Sequence, residues 1–208
     1  MLSVFLCLLL AVTLLGCAPA PVKIIRYEPV AISPREMVAV RGGEKYLDYM
    51  DEDYEISAAL HGSENVFVIS LRLMNKTAQD LKASEYSIGM TDGLDYKPLQ
   101  LISREVVIEY RRKISTGQDI KSGNSMLDLG LNQLSGMVRG IGRTEFSQFL
   151  LSVDWAIAHY FAFRPIYAGR TREGVLCYYA DFILEYPLTL RFRLKNRPID
   201  FRFLPPPE

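Results

Sequence analysis

Nucleophilic or acid–base chemistry needs a thiol, hydroxyl or carboxylate held beside a base, so the two histidines and three cysteines of this 208-residue chain are the first residues to weigh. His61 falls in His61-Gly62-Ser63-Glu64-Asn65, a polar interruption between two apolar runs, where a solvated turn residue is expected. His159 neighbours Trp155 and Tyr160 beside an apolar stripe, and a helix-surface or partly buried role suits it. Cys177 lies in Val175-Leu176-Cys177-Tyr178-Tyr179 and reads as a small buried hydrophobe. As a reactive thiol it would need a nearby base, and sequence places none beside it. Cys177 with His159 is the one pair that could make a nucleophile and base. The acidic run Asp48-Tyr49-Met50-Asp51-Glu52-Asp53-Tyr54 supplies the oxygens that calcium requires, but without the glycine and spacing of a helix–loop–helix calcium site it reads as a solvated charge run. No Gly-x-Ser-x-Gly elbow, paired-histidine metal motif or phosphate-cradling glycine loop occurs. The expectation is a non-enzymatic chain with no cofactor and no metal.

The amino terminus carries a different kind of chemistry. Residues 1–16 hold no charged side chain, and Leu2 to Leu15 is an almost wholly apolar run, too short for a stable span of roughly 20 residues. Such a core followed by small residues fits a secretory signal. Leu14-Leu15-Gly16-Cys17 resembles the lipobox of bacterial lipoproteins. That resemblance implies cleavage before Cys17, diacylglycerol on its thiol and further fatty acylation, so that several chains hold the protein to a membrane. By the same resemblance Ala18, in place of an aspartate, implies the outer membrane facing the periplasm wherever the cell has two membranes.

Lys and Arg number 24 and Asp and Glu number 24, so there is no basic footprint for nucleic acid. With Cys7 in the signal and Cys17 lipidated, Cys177 alone remains, which excludes a disulfide framework within one chain. The mature length suits one domain. Residues 17–50, with Pro19, Pro21, Pro29, Pro34 and Gly42-Gly43, are expected to form a tether and irregular lead-in to a domain over 51–208.

Within that domain, Tyr54 to Leu60 and Val66 to Met74 alternate as a hairpin, the second strand turning Phe67, Ile69, Leu71 and Leu73 to one face. Further strands are expected at Tyr86–Met90 and at Tyr96–Leu101, the latter at an edge because Pro98 lacks a donor. Ser103 can cap a helix through Tyr110, although Val106-Val107-Ile108 also allows a strand. Two apolar stripes follow at helical spacing: Leu127, Leu131, Leu134, Val138 and Ile141, then Phe146, Leu150, Val153, Ile157 and Phe161. Alternation returns in Leu176 to Phe182, Leu188 to Leu194 and Ile199 to Phe203, with Asn196-Arg197-Pro198 as a turn and Arg191, Arg193 and Lys195 on a wet face.

This order implies a mainly β chain whose antiparallel sandwich is interrupted by a helical insertion at about 103–167. Phe67 to Thr77, Thr91-Asp92-Gly93 with Tyr96, and Arg172 to Val175 leading to Leu188-Thr189-Leu190 resemble small immunoglobulin-like sandwich domains of bacterial lipoproteins. The resemblance implies an immunoglobulin-like fold and an envelope setting. The aromatics Phe146, Phe149, Trp155, Tyr160 and Phe163 exceed what one buried stripe needs, and are expected to contact another envelope protein or a membrane surface if they are not core. The alternative is a ligand pocket or active site between the insertion and the sheet.

Overall fold

The computed structural model describes residues 25–62, 66–93, 96–116, 154–180 and 186–207. Its strands are β1 (Ile25–Arg26), β2 (Glu28–Val30), β3 (Glu36–Arg41), β4 (Glu44–Met50), β5 (Tyr54–Gly62), β6 (Val66–Asn75), β7 (Tyr86–Thr91), β8 (Gln100–Ile102), β9 (Thr171–Tyr179), β10 (Leu188–Leu194) and β11 (Arg197–Leu204), with helix α1 at Arg104–Thr116. The strands form two antiparallel sheets. One is seven-stranded in the order β3-β4-β5-β6-β9-β8, with β1 paired to the far end of β5; the other is four-stranded, β2-β11-β10-β7. The fold is therefore mainly β and consistent with a sandwich.

Alternation explains the packing. Phe67, Ile69, Leu71 and Leu73 of β6 are all buried and meet Leu188, Leu190, Phe192, Phe201 and Phe203 of the smaller sheet in one apolar cluster. Phe192 and Phe201 pack with ring centres 5.2 Å apart. Tyr178 of β9 also crosses this core, donating its hydroxyl to the Ile88 carbonyl of β7 at 3.0 Å. A bond of that kind is worth about 1 kcal/mol net and fixes the two sheets at that point.

In β9, by contrast, Val175 through Tyr179 is buried without a break. Leu176 and Tyr178 join the main core, while Val175, Cys177 and Tyr179 face outward into a second cluster with Ile102, Val107 and Ala156. The second cluster exists because α1 and a helical stretch at 154–158 cover that outer face. Ser103 begins the helix as expected, its hydroxyl accepting from the Val106 N–H at 3.4 Å. Residues 117–153, which hold most of the expected helical insertion, lie outside the described residues.

Three expectations are corrected. Residues 25–50 form β1 to β4 rather than an irregular lead-in. Pro29 sits in β2, at a sheet edge where its missing donor costs little, and Gly42 and Gly43, with φ of 61° and 81°, make the tight turn of the β3–β4 hairpin. The helix expected through Phe161 stops before it: Tyr160 bridges to Val175 and Phe161 enters the main core. Gly174 permits that approach, since a Cβ there would stand 2.7 Å from the His159 carbonyl oxygen and 2.7 Å from the Phe161 Cα. Finally, the last turn falls at Lys195-Asn196, with Pro198 inside β11 opposite Arg193.

Candidate functional site

The β3–β4 hairpin offers the most open binding geometry in the described residues. β3 ends its sheet, and among the described residues nothing pairs with its outer edge. Its sequence, Glu36-Met37-Val38-Ala39-Val40-Arg41, has no proline and no lysine, the residues that commonly blunt an edge. Met37 is 63% exposed, Val38 42% and Val40 67%. The Met50 N–H donates to the Arg35 carbonyl at 3.0 Å, and the register pairs Met37 with Asp48, Ala39 with Tyr46 and Arg41 with Glu44. Because the hydrogen-bonding direction alternates along a strand, Met37, Ala39 and Arg41 spend their backbone groups on β4, as does the Arg35 carbonyl. Those of Val38 and Val40 point outward.

Beside the hairpin, the acidic run forms a clamp. The Asp51 side chain is only 6% exposed and pairs with the Arg197 guanidinium. Asp51 also accepts from the Tyr49 hydroxyl at 2.6 Å, from the Tyr54 N–H at 2.7 Å and from the Asp53 N–H at 2.8 Å. Burial opposes its ionisation, but the Tyr49 hydroxyl, the two backbone donors and Arg197 outweigh it and hold the carboxyl below its ordinary range. Asp51 thus ties the start of β5 in the large sheet to the β10–β11 turn in the small one. An open cleft of about 490 Å³ adjoins it, lined by residues 32–36, Tyr49 and 197–200. No group of three or more His, Cys, Asp or Glu side chains placed to hold a metal occurs among the described residues.

The aromatic candidates divide. Phe146 and Phe149 lie outside the described residues, as does Cys17. Trp155 is 47% exposed and stacks on His159 with ring centres 4.9 Å apart, while His159 Nδ1 lies 2.8 Å from the Trp155 carbonyl. Tyr160 is half-buried and donates its hydroxyl to the Ile102 carbonyl at 2.7 Å. Phe163 stacks on Tyr86 at 5.9 Å and keeps about a third of its surface, 36%, exposed. Asp154 holds the helical stretch to α1 through a bidentate pair with Arg111 at 2.7 and 3.2 Å. Of the three aromatics among the described residues, then, Trp155 and Phe163 are placed to touch something else.

Cys177 and His159 are not brought into a catalytic pair. Burial pushes the Cys177 thiol up to about 11, the wrong direction for a nucleophile at neutral pH, and no hydrogen bond joins it to His159. His61 lies within β5 rather than a turn, with Nε2 3.4 Å from a Glu44 carboxylate oxygen. Sequence reasoning passed over β3 because its prolines and glycines lie just outside it, and over Asp51 because its decisive partner, Arg197, is 146 residues away. No protein-family model, curated protein or solved structure matches this chain.

Proposed function

We propose that the chain is a lipid-anchored protein of the cell envelope whose β domain works as a non-catalytic interaction or assembly module. The anchoring half rests on Leu14-Leu15-Gly16-Cys17 after an uncharged apolar run. The interaction half is carried by one observation: among the described residues β3 ends its sheet with open backbone groups and a row of exposed apolar side chains. A strand edge of this kind binds by main-chain pairing, with side chains supplying selectivity. Trp155, on the helical stretch, and Phe163, against Tyr86 of β7, offer further exposed apolar contacts. Among the described residues no helix is long and apolar enough to cross a membrane. Where the envelope has two membranes, the outer one, facing the periplasm, is the proposed site.

Only eight positions separate Cys17 from the start of β1 at Ile25 (25 − 17). Fully extended, they reach about 26 Å. The domain therefore works close to the bilayer. An immunoglobulin-like arrangement, with a helical segment inserted between β8 and β9, is part of the same proposal and is supported by the chain order of strands, α1 and strands.

Replacing Cys17 with Ser tests the anchor. Loss of the protein from the membrane fraction, together with loss of the lipid mass, is the expected result; unchanged retention and mass would refute it. Crosslinking in intact cells, mapped to β3 and to residues 123–167, tests the interaction.

A further inference from the structure

We propose that the outer edge of β3 pairs with the same edge of a second copy of this chain, in antiparallel register about a twofold axis, joining two seven-stranded sheets into one. This goes beyond the anchoring and interaction roles above, since it names the occupant of the edge.

Symmetry sharply limits the possible registers. In an antiparallel pair related by a twofold axis normal to the sheet, side chains opposite each other must share a face, so one residue has to face its own copy. Centring on Ala39 places Val38 opposite the partner's Val40, and the partner's Val38 opposite Val40. Val38 and Val40 are also the residues whose N–H and C=O groups point away from β4, so each such pair can exchange both main-chain bonds. On the core side, where Val38 stands beside the buried Leu47, these valines extend the apolar row across the junction. On the other face Met37 lies against the stem of the partner's Arg41, whose charged end already reaches Asp48 and the Tyr46 ring. No like charges face each other.

The neighbouring symmetric registers fit less well. Centring on Val38 sets Arg35 against the partner's Arg41, and like charges directly opposite destabilise a pair. Centring on Val40 runs Met37 and Val38 against the partner's Gly42 and Gly43, whose positive φ angles make a turn rather than an extended strand. Charge and the Gly42-Gly43 turn together select Ala39.

The register gives a direct test. The Ala39 pair is of the non-hydrogen-bonded kind, whose Cα separation of about 4.5 Å is within disulfide reach. The full-length chain carrying Ala39→Cys, oxidised in intact cells and run on a non-reducing gel, is expected to give a reducible band at twice the chain mass. The unchanged chain, whose Cys177 is buried, with Cys7 removed in the signal and Cys17 lipidated as proposed above, gives none. Adding Val38→Lys should abolish the band while leaving the melting temperature unchanged in dilute solution, where the chain is monomeric. The proposal is overturned if Ala39→Cys yields monomer at normal expression, if Val38→Cys links in its place, or if Val38→Lys leaves the band intact. A band containing a different protein would equally overturn the assignment to a second copy. Loss of anchoring in the Cys17→Ser protein bears on the lipid alone, so the two readings fail separately.

Discussion

At one end of the seven-stranded sheet β3 runs six residues, with valines on an open edge; at the other, β8 is three residues long, begins two residues after Pro98, and is flanked by the helices. The Ile102 carbonyl of β8 is occupied by the Tyr160 hydroxyl at 2.7 Å, and Ile102 itself is buried in the second cluster. Short length, a nearby proline and a cover are the usual ways of closing a strand edge. Both strands begin two residues after a proline, Pro98 before β8 and Pro34 before β3, but among the described residues β8 is also short and covered, whereas β3 is neither. That asymmetry within a single sheet is why β3 is read as a contact surface and β8 as a finished boundary.

The comparison breaks most severely where the cover on the β8 side is removed. Phe161 is fully buried in the main core and leads the chain from the helical stretch back to the sheet. Phe161→Ala should cost about 3–5 kcal/mol, read as a fall in denaturant midpoint, because a large aromatic leaves a cavity the core cannot close. Gly174→Ala acts on the same junction from the sheet side. Its new methyl meets backbone rather than a movable side chain, so about 1–3 kcal/mol is expected from overpacking. Equal tolerance of both changes would show that the cover is not fixed to β9 as described.

Nearer β3, Asp51→Asn should cost about 1–3 kcal/mol at neutral pH, since it weakens a set of hydrogen bonds to a nearly buried carboxylate. The sign of the pH effect follows from the depressed carboxyl. Its folded-state pKa lies below the ordinary value of about 3.9, so its stabilisation is present in full well above that value. It is lost as pH falls through the folded value. As pH is lowered from 7 through the ordinary carboxylate value, the melting temperatures of the parent and Asp51→Asn proteins should therefore draw together, and parallel curves would refute the assignment.

Much of this arrangement was legible in the sequence, for identifiable reasons. β5, β6, β7, β10 and β11 each turn one face to the core, and the two-residue period prints that directly in the order of residues. β9 is recognisable as a strand, but its unbroken burial depends on helices packing outside it, which alternation cannot announce. β3 escaped because both its faces are partly wet, so Met37, Val38, Ala39 and Val40 show no period, and the Gly42-Gly43 hairpin turn looks like linker composition. Phe161 misled in the opposite way, continuing a helical spacing from Phe146 while its actual position is set by Gly174. Of the candidate contacts, Trp155 and Phe163 were legible as surplus aromatics. The β3 edge was not, since an edge is defined by which strand fails to find a neighbour.

The smallest expected effect isolates the edge from the fold. Val40→Lys alters a side chain that is 67% exposed and belongs to neither apolar cluster, so in dilute solution the chain should lose no more than about 0.5 kcal/mol. A strand edge with a charge placed on it should nevertheless stop pairing, since the lysine would have to be buried against the partner's Val38. The parent protein should accordingly melt at a temperature that rises with its concentration, because association stabilises the folded state by mass action, while the variant should melt at one temperature throughout. A concentration-dependent melt that survives Val40→Lys would move the contact away from β3, toward Trp155 or Phe163. An unchanged melt in both proteins would make β3 an edge closed by something other than its own copy.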